Sequence, residues 1–147
     1  MPAYSFQDVL CSFIGPGAII SLGNGAGVSK EGISWEPLED KDAMVIGADG
    51  TPMHSLHAGN GATCTIRLLK NSPANALLSA AYWLQAANSA NWGQNTIGVG
   101  QSVLGDVATM TSVAFRRNTG NTWAEDANML EWQFNVGKLI DVKGAAL

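Results

Sequence analysis

The residues whose types could carry chemistry are few in this 147-residue chain: His54 and His57, Cys11 and Cys64, and the run Glu39-Asp40-Lys41-Asp42. The two histidines stand three apart, with no HExxH pattern and no cysteine or carboxylate at metal-ligand spacing. On extended backbone that odd spacing turns their rings to opposite faces, so hydrogen bonding is expected of them and a shared metal is not. Glu39, Asp40 and Asp42 could pair as general acid and base only if one carboxyl lay in an apolar cleft, which a solvated charge run does not offer. Ser34, Ser55 and Ser102 lie outside any G-x-S-x-G elbow. Gly23-Asn24-Gly25-Ala26-Gly27 lacks both GxGxxG order and a GK[ST] ending, so it reads as a loop that orders against a neighbouring subunit. The cysteines have no CxxC spacing and read as buried thiols. No catalytic residue, cofactor or metal is expected.

Composition shifts attention from chemistry to surfaces. Charged residues make up 14% of the chain and hydrophobic ones 46%, whereas soluble domains carry about 25% charged residues. Surface that is polar without being charged suits either extracellular exposure or being covered by copies of the same protein, and the second reading implies an assembly. Eight Lys plus Arg against twelve Asp plus Glu leave a net charge of -4, which disfavours a groove that neutralises nucleic-acid phosphates. Arg116-Arg117, Arg67 and Lys70 are accordingly expected in ion pairs across a sheet or subunit boundary. No apolar run reaches the roughly 18 residues of a membrane helix, and the start PAYSFQD has no basic head. The expectation is a protein made in the cytoplasm without a membrane anchor.

The elements follow from hydrophobic period and punctuation. Residues 4 to 14, the turn Gly15-Pro16-Gly17 and AIISL form a hairpin pattern. Gly23 to Gly32 reads as irregular. An arm over about residues 31–52 holds two short apolar segments, Ile33 to Leu38 and Ala43 to Ile46, on either side of the charged run. That run is read as a loop tip, and Gly47-Ala48-Asp49-Gly50 as a second turn. Residues 61 to 70 alternate as a half-buried strand. Ser72 and Pro73 then open a helix over about 73–87, with an apolar stripe of Ala74, Leu77, Leu78, Ala81 and Leu84. Strands are expected at Thr96 to Val99, Val103 to Arg116 and Met129 to Ile140, the last with Leu130, Trp132, Phe134 and Val136 on one face. One helix among seven or eight strands defines a mainly β fold, an antiparallel sandwich or barrel with one flanking α-helix. The tail VKGAAL is expected to fray or to lie along a neighbour.

Four extended passages, YSFQDVLCSFIGPG, GISWEPLEDKDAMVIGADGTPMHSLHAG, TIRLLKNSPANALLSAAY and AEDANMLEWQFNVGKL, occur in this order along nearly the whole chain. Together they resemble the tail tube proteins of contractile-tailed bacteriophages, which are distantly similar to type VI secretion tube proteins. The resemblance implies a single tail tube domain over residues 1–147, with six copies joining their sheets into a ring and rings stacking helically into the inner tail tube. It implies a passive conduit for phage DNA while the sheath contracts, and no catalytic residue. The implied partners are further copies of the chain, the tail sheath, baseplate, tail terminator and tape measure proteins, and passing DNA bound without sequence specificity. The implied location is the virion tail.

On this reading the arm reaches an adjacent subunit or ring. Its contact residues are expected to be Trp35, Glu39, Asp40, Lys41, Asp42 and Asp49, with Gly25 and Gly27 of the glycine-rich loop as a second contact and Trp92 and Trp123 as anchors. Three alternatives have different signatures. The tube of a contractile bacteriocin would share the sequence character but pass no genome. A carbohydrate-binding β-sandwich would be monomeric with an exposed aromatic platform. A small hydrolase would show a cleft with perturbed acidic or histidine groups.

Overall fold

In a computed structural model that describes residues 2–145, without the Glu31 side chain, the chain forms nine strands and one α-helix among the described residues. Ala146 and Leu147, at the end of the tail expected to fray, lie outside them. Strands β1 (Val9–Gly15) and β2 (Ala18–Ser21) form the expected hairpin. They turn at Pro16 and Gly17, where proline restricts its own φ and glycine takes a φ of 75°. β3 (Val28–Pro37) pairs with β6 (Ala62–Leu69), while β4 (Asp42–Ile46) and β5 (Pro52–Leu56) pair only with each other. The helix α1 (Ala74–Ala86) leads to β7 (Asn95–Gln101), β8 (Asp106–Phe115) and β9 (Met129–Val142). The main sheet has seven strands in the order β2-β1-β7-β8-β9-β6-β3, with every neighbouring pair antiparallel.

β8 and β9 bend this sheet around its core. Ala108 and Met110 of β8 are buried, and so are Val113 and Phe115, so the inward-facing parity changes between Met110 and Val113. A register shift against β7 falls at the same place, and Ser112 adopts a φ of 53° there. β9 changes parity alongside: Trp132, Phe134 and Val136 are buried before the bend, and Leu139 packs against the core after it. Gly137 makes the crossing possible, because a Cβ there would lie 2.8 Å from the Ser112 Cβ. Inside the curl, Trp35, Cys64, Phe134 and Phe115 form one row across four strands. Phe13 adds its ring at 5.7 Å from Phe115 and 5.6 Å from Phe134.

Three sequence expectations change. The irregular stretch from Gly23 ends at Gly27, and residues 28–32 belong to β3 despite a register shift between Val28 and Ile33. Their anchor is the bond from the Leu69 N–H to the Gly27 carbonyl, 2.7 Å long. The charged run is no loop tip: it lies at the neck of the β4–β5 hairpin, and the tip is residues 47–51. The helix buries Ala74, Asn75, Leu78, Ala81 and Gln85, leaving Leu77 and Leu84 about half exposed.

Two buried amides explain that rotation of the helix. Asn75 accepts the Trp132 indole N–H at 3.0 Å, and Gln85 exchanges two bonds of 2.8 Å with Asn95 of β7. Each amide occupies a position where an apolar stripe predicts carbon. Replacing Asn95 alone with Leu strands Gln85 Oε1 in the interior and leaves Nε2 only its 3.5 Å bond to the Pro16 carbonyl, and is expected to cost about 1–3 kcal/mol. Thermal unfolding of Asn95→Leu beside the double variant Asn95→Leu, Gln85→Met is expected to show the single change as the more damaging one.

Candidate assembly surfaces

The β4–β5 hairpin stands away from the curled sheet, and every residue from Glu36 to Asn60 is exposed. Met44, Val45, Ile46 and Met53 are 53–61% exposed and Leu56 is 82% exposed. Consecutive apolar residues in β4 place carbon on both faces of a two-stranded ribbon, a structure of marginal stability when isolated. Nothing in the rest of the described chain covers either face. The signal was present in sequence as Ala43-Met44-Val45-Ile46, a strand with no polar alternate.

The residues expected to reach a neighbour divide between the neck, the tip and the body. At the neck, Lys41 Nζ donates to Asn60 Oδ1 at 2.8 Å and to the Gly59 carbonyl at 3.3 Å. His57 Nδ1 lies 2.9 Å from the Asp40 carbonyl, and His54 Nδ1 lies 3.0 Å from Asp42 Oδ2. The Glu39 side chain lies so close to Gly59 that a Cβ there would overlap it. The charged run thus ties the hairpin to its own body. At the tip, the Thr51 N–H donates to Asp49 Oδ1 at 3.1 Å and holds that carboxyl below the usual carboxylate range. Trp35 belongs to the body: it is half-buried on β3, and its indole N–H reaches Asp141 Oδ2 at 3.4 Å. The projection therefore begins at Leu38, later than the arm expected from residue 31.

Gly27 takes a φ of 79° against Ser72, whose hydroxyl bonds the Ala26 carbonyl, whereas Gly25 faces open space at a φ of 94°. Trp92 is 36% exposed and packs on Tyr82 and Phe115. Trp123 is 83% exposed, with Lys70 Nζ 5.2 Å from its ring centre. Sequence reasoning overlooked Trp83, which is 64% exposed on a helix whose thirteen residues include no charge.

The outer face of the sheet has two characters. Across β3, β6, β9 and the end of β8 it is polar: Ser34, Thr65 and Gln133 form one row, and Glu36, Thr63, Asn135 and Ala114 the next. Arg67 pairs with Glu131 at 2.9 Å and donates to Ser34 Oγ at 3.2 Å, while Arg116 and Arg117 make no ion pair among the described residues. Across β2, β1 and β7 the outer face mixes exposed Leu10, Ile14 and Ile19 with Ser12, Ser21, Thr96 and two glycines, Gly98 and Gly100. A cavity of about 200 Å³ opens between β3 and the ends of β1 and β7, walled by Tyr4, Phe6, Ile33, Trp35 and Val99, with Lys30 and Asp106 at its edge.

Cys11 and Cys64 are free thiols in the core, and burial pushes both up to about 12. No group of three potential metal ligands occurs among the described residues. No helix of the described residues is long and apolar enough to cross a membrane.

A curled antiparallel sheet with a flanking helix and an uncovered hairpin is the fold of a tail tube-like assembly subunit. The chain belongs to the bacteriophage PhiTE tail tube protein family, whose model matches residues 1–144. It is thereby a structural component of a phage tail. A chain in the 6-fold symmetrised baseplate structure of the anti-feeding prophage is similar over 99% of this chain and 98% of its own, with a TM-score of 0.62 at 11% identity. A chain of the sheath/tube terminator of PVC, an extracellular contractile injection system, aligns over 97% and 98% with a TM-score of 0.60 at 11% identity. A chain of the PVC sheath-tube complex in the extended state aligns over 97% and 92%, with a TM-score of 0.59 at 12% identity. No curated protein matches the sequence.

Two outcomes follow from these surfaces. Lys41→Met removes two of the ties at the neck and leaves those of His54 and His57, so limited proteolysis is expected to cut within residues 38–60 several-fold faster while the melting temperature changes by a few degrees at most. Iodoacetamide at pH 8 is expected to leave Cys11 and Cys64 unmodified in the folded protein and to alkylate both in denaturant, as mass spectrometry reads directly.

Proposed function

We propose that six copies of this chain close into a ring, and that stacked rings form the inner tube of a contractile tail, through which DNA passes as the sheath shortens. The uncovered β4–β5 hairpin is the observation that carries the reading, because its apolar faces gain cover only from other subunits.

Strand direction suggests how a ring would close. The polar-faced half of the sheet holds four strands in alternating directions, β3-β6-β9-β8. One border is β3. The other is the end of β8, since β7 pairs with β8 only as far as Val113. Rotating a copy about a ring axis preserves strand direction, so an even number of strands brings β8 of one subunit antiparallel to β3 of the next. Closure through β2 and β3 would use all seven strands and give a parallel junction. The four-strand junction removes two open edges and faces the channel with the rows of Ser, Thr, Asn and Gln. On that surface Arg67 is paired with Glu131 and Glu36 is a further acid, so unpaired cations are confined to the β8 border, where Arg116 and Arg117 follow Phe115.

The tail sheath, baseplate, terminator and tape measure proteins are the remaining partners in this proposal. The extracellular injection systems among the structural relatives favour a second reading, a tube of the same construction that carries no genome.

Electron microscopy of concentrated purified protein is expected to show hollow rings or tubes, and a chain that stays monomeric in every assembly condition overturns the proposal. Hydrogen exchange adds the junction: amides within residues 33–36 and 114–117 are expected to become protected on assembly. Protection of Ala18–Ser21 with β3, while residues 114–117 stay open, would favour closure through β2.

A further inference from the structure

The hairpin tip and the cavity beside β3 have complementary shapes and charges. The tip carries Ile46 and Pro52 as its last strand pair, followed by the Gly47–Thr51 turn. That turn is closed by bonds of 2.9 Å from the Gly47 N–H to the Thr51 carbonyl and from the Gly50 N–H to the Gly47 carbonyl. The Asp49 carboxyl accepts the Thr51 N–H at Oδ1 and is bonded by the Thr51 side chain as well, yet it stays wholly open to solvent and to a partner cation. The tip is therefore a small apolar wedge bearing one fully exposed negative charge.

The cavity is the reverse. Tyr4, Phe6, Ile33 and Trp35 provide an apolar wall around about 200 Å³, a space suited to an aliphatic side chain. Of the polar groups at its margin, Asp106 accepts the Gly144 N–H at 2.6 Å, and Gln101 Oε1 accepts the Leu104 N–H at 2.7 Å. Lys30 makes no ion pair with any described residue. The opening thus has aromatic walls and an uncommitted cation.

The wedge cannot fill the cavity of its own chain. Trp35 lies two residues before Pro37, so the cavity is near the neck of the hairpin, whose paired five-residue strands carry the tip about 17 Å away. We infer that the hairpin tip of one copy docks in the cavity of another, with Ile46 and Pro52 against Tyr4, Phe6 and Trp35 and Asp49 paired with Lys30. This rests on the proposal that copies of the chain assemble, and it names the receiving surface for the hairpin. The contact is head to tail, since tip and cavity are different surfaces, and it propagates from copy to copy.

A charge swap tests the docking. Asp49→Lys and Lys30→Asp each place like charges together, and each is expected to raise the concentration for half-assembly about three- to tenfold in sedimentation. The double variant is expected to return within about twofold of the wild type, while circular dichroism shows all the monomers equally folded. A second readout uses Ala48→Cys combined with Tyr4→Cys, which is expected to give disulfide-linked ladders on oxidation of assembled protein, the native thiols being buried. Tubes that form from the single variants at wild-type concentrations, or a double variant no better than either single, overturn the docking and leave the tube reading standing. A wild-type chain that never assembles overturns both.

Discussion

Everything else in the fold depends on the parity change shared by β8 and β9. Two long paired strands can curl around a core only if their side chains exchange faces partway along, and that requires backbone which tolerates the crossing. Ser112 at positive φ and Gly137, with no room for a Cβ, meet that requirement at the same level of the ladder. Before the bend β9 packs Trp132, Phe134 and Val136 inward beside β6, and after it Leu139 replaces them. One continuous ladder therefore makes both walls of a closed core, and the seven strands need only one helix to cap them.

The same bend separates the outer surface into regions with different tasks. Beyond Val113, β8 leaves β7 and acquires a free edge, so the polar wall has an open border at each side. The β2-β1-β7 wall carries Leu10, Ile14 and Ile19 toward the outside among serines and glycines, and the hairpin leaves the body at a neck tied by Lys41 and His57. The low charge of the chain is distributed accordingly. Ion pairs are few because most of the exposed area is built of hydroxyls, amides and carbon, groups that can be buried against another subunit without desolvating an ion.

Elements set by local period were legible in the sequence. The alternation in residues 61 to 70 and around Trp132 states its own strand, and Pro16-Gly17 states its turn. Three features escaped because their causes are long-range. The helix rotates toward Asn75 and Gln85 since those amides find Trp132 and Asn95, partners 57 and 10 residues away. Residues 28–32 join β3 because Leu68 and Leu69 hold the chain there, although their glycine and charges alone resemble a loop. The charged run read as a tip because four ionic residues between apolar segments usually face water at a turn. Here they form a neck, since Asn60, Gly59, His57 and His54 return alongside them. The exposed ribbon was in principle visible in Ala43 to Ile46, whose unbroken apolar run has no inner and outer side to choose between.

In the proposed assembly, that ribbon makes the stability of the chain a property of its concentration. A surface that is comfortable only when covered lowers the free energy of the assembled state and not that of the isolated subunit, so each doubling of protein shifts the balance between them. A melting temperature measured in dilute solution describes the curled sheet alone, whereas the assembled protein melts as a polymer whose ends are its weakest points. Breakdown then proceeds from a terminus inward, and a single cap on each end protects a length of tube far greater than the cap itself touches.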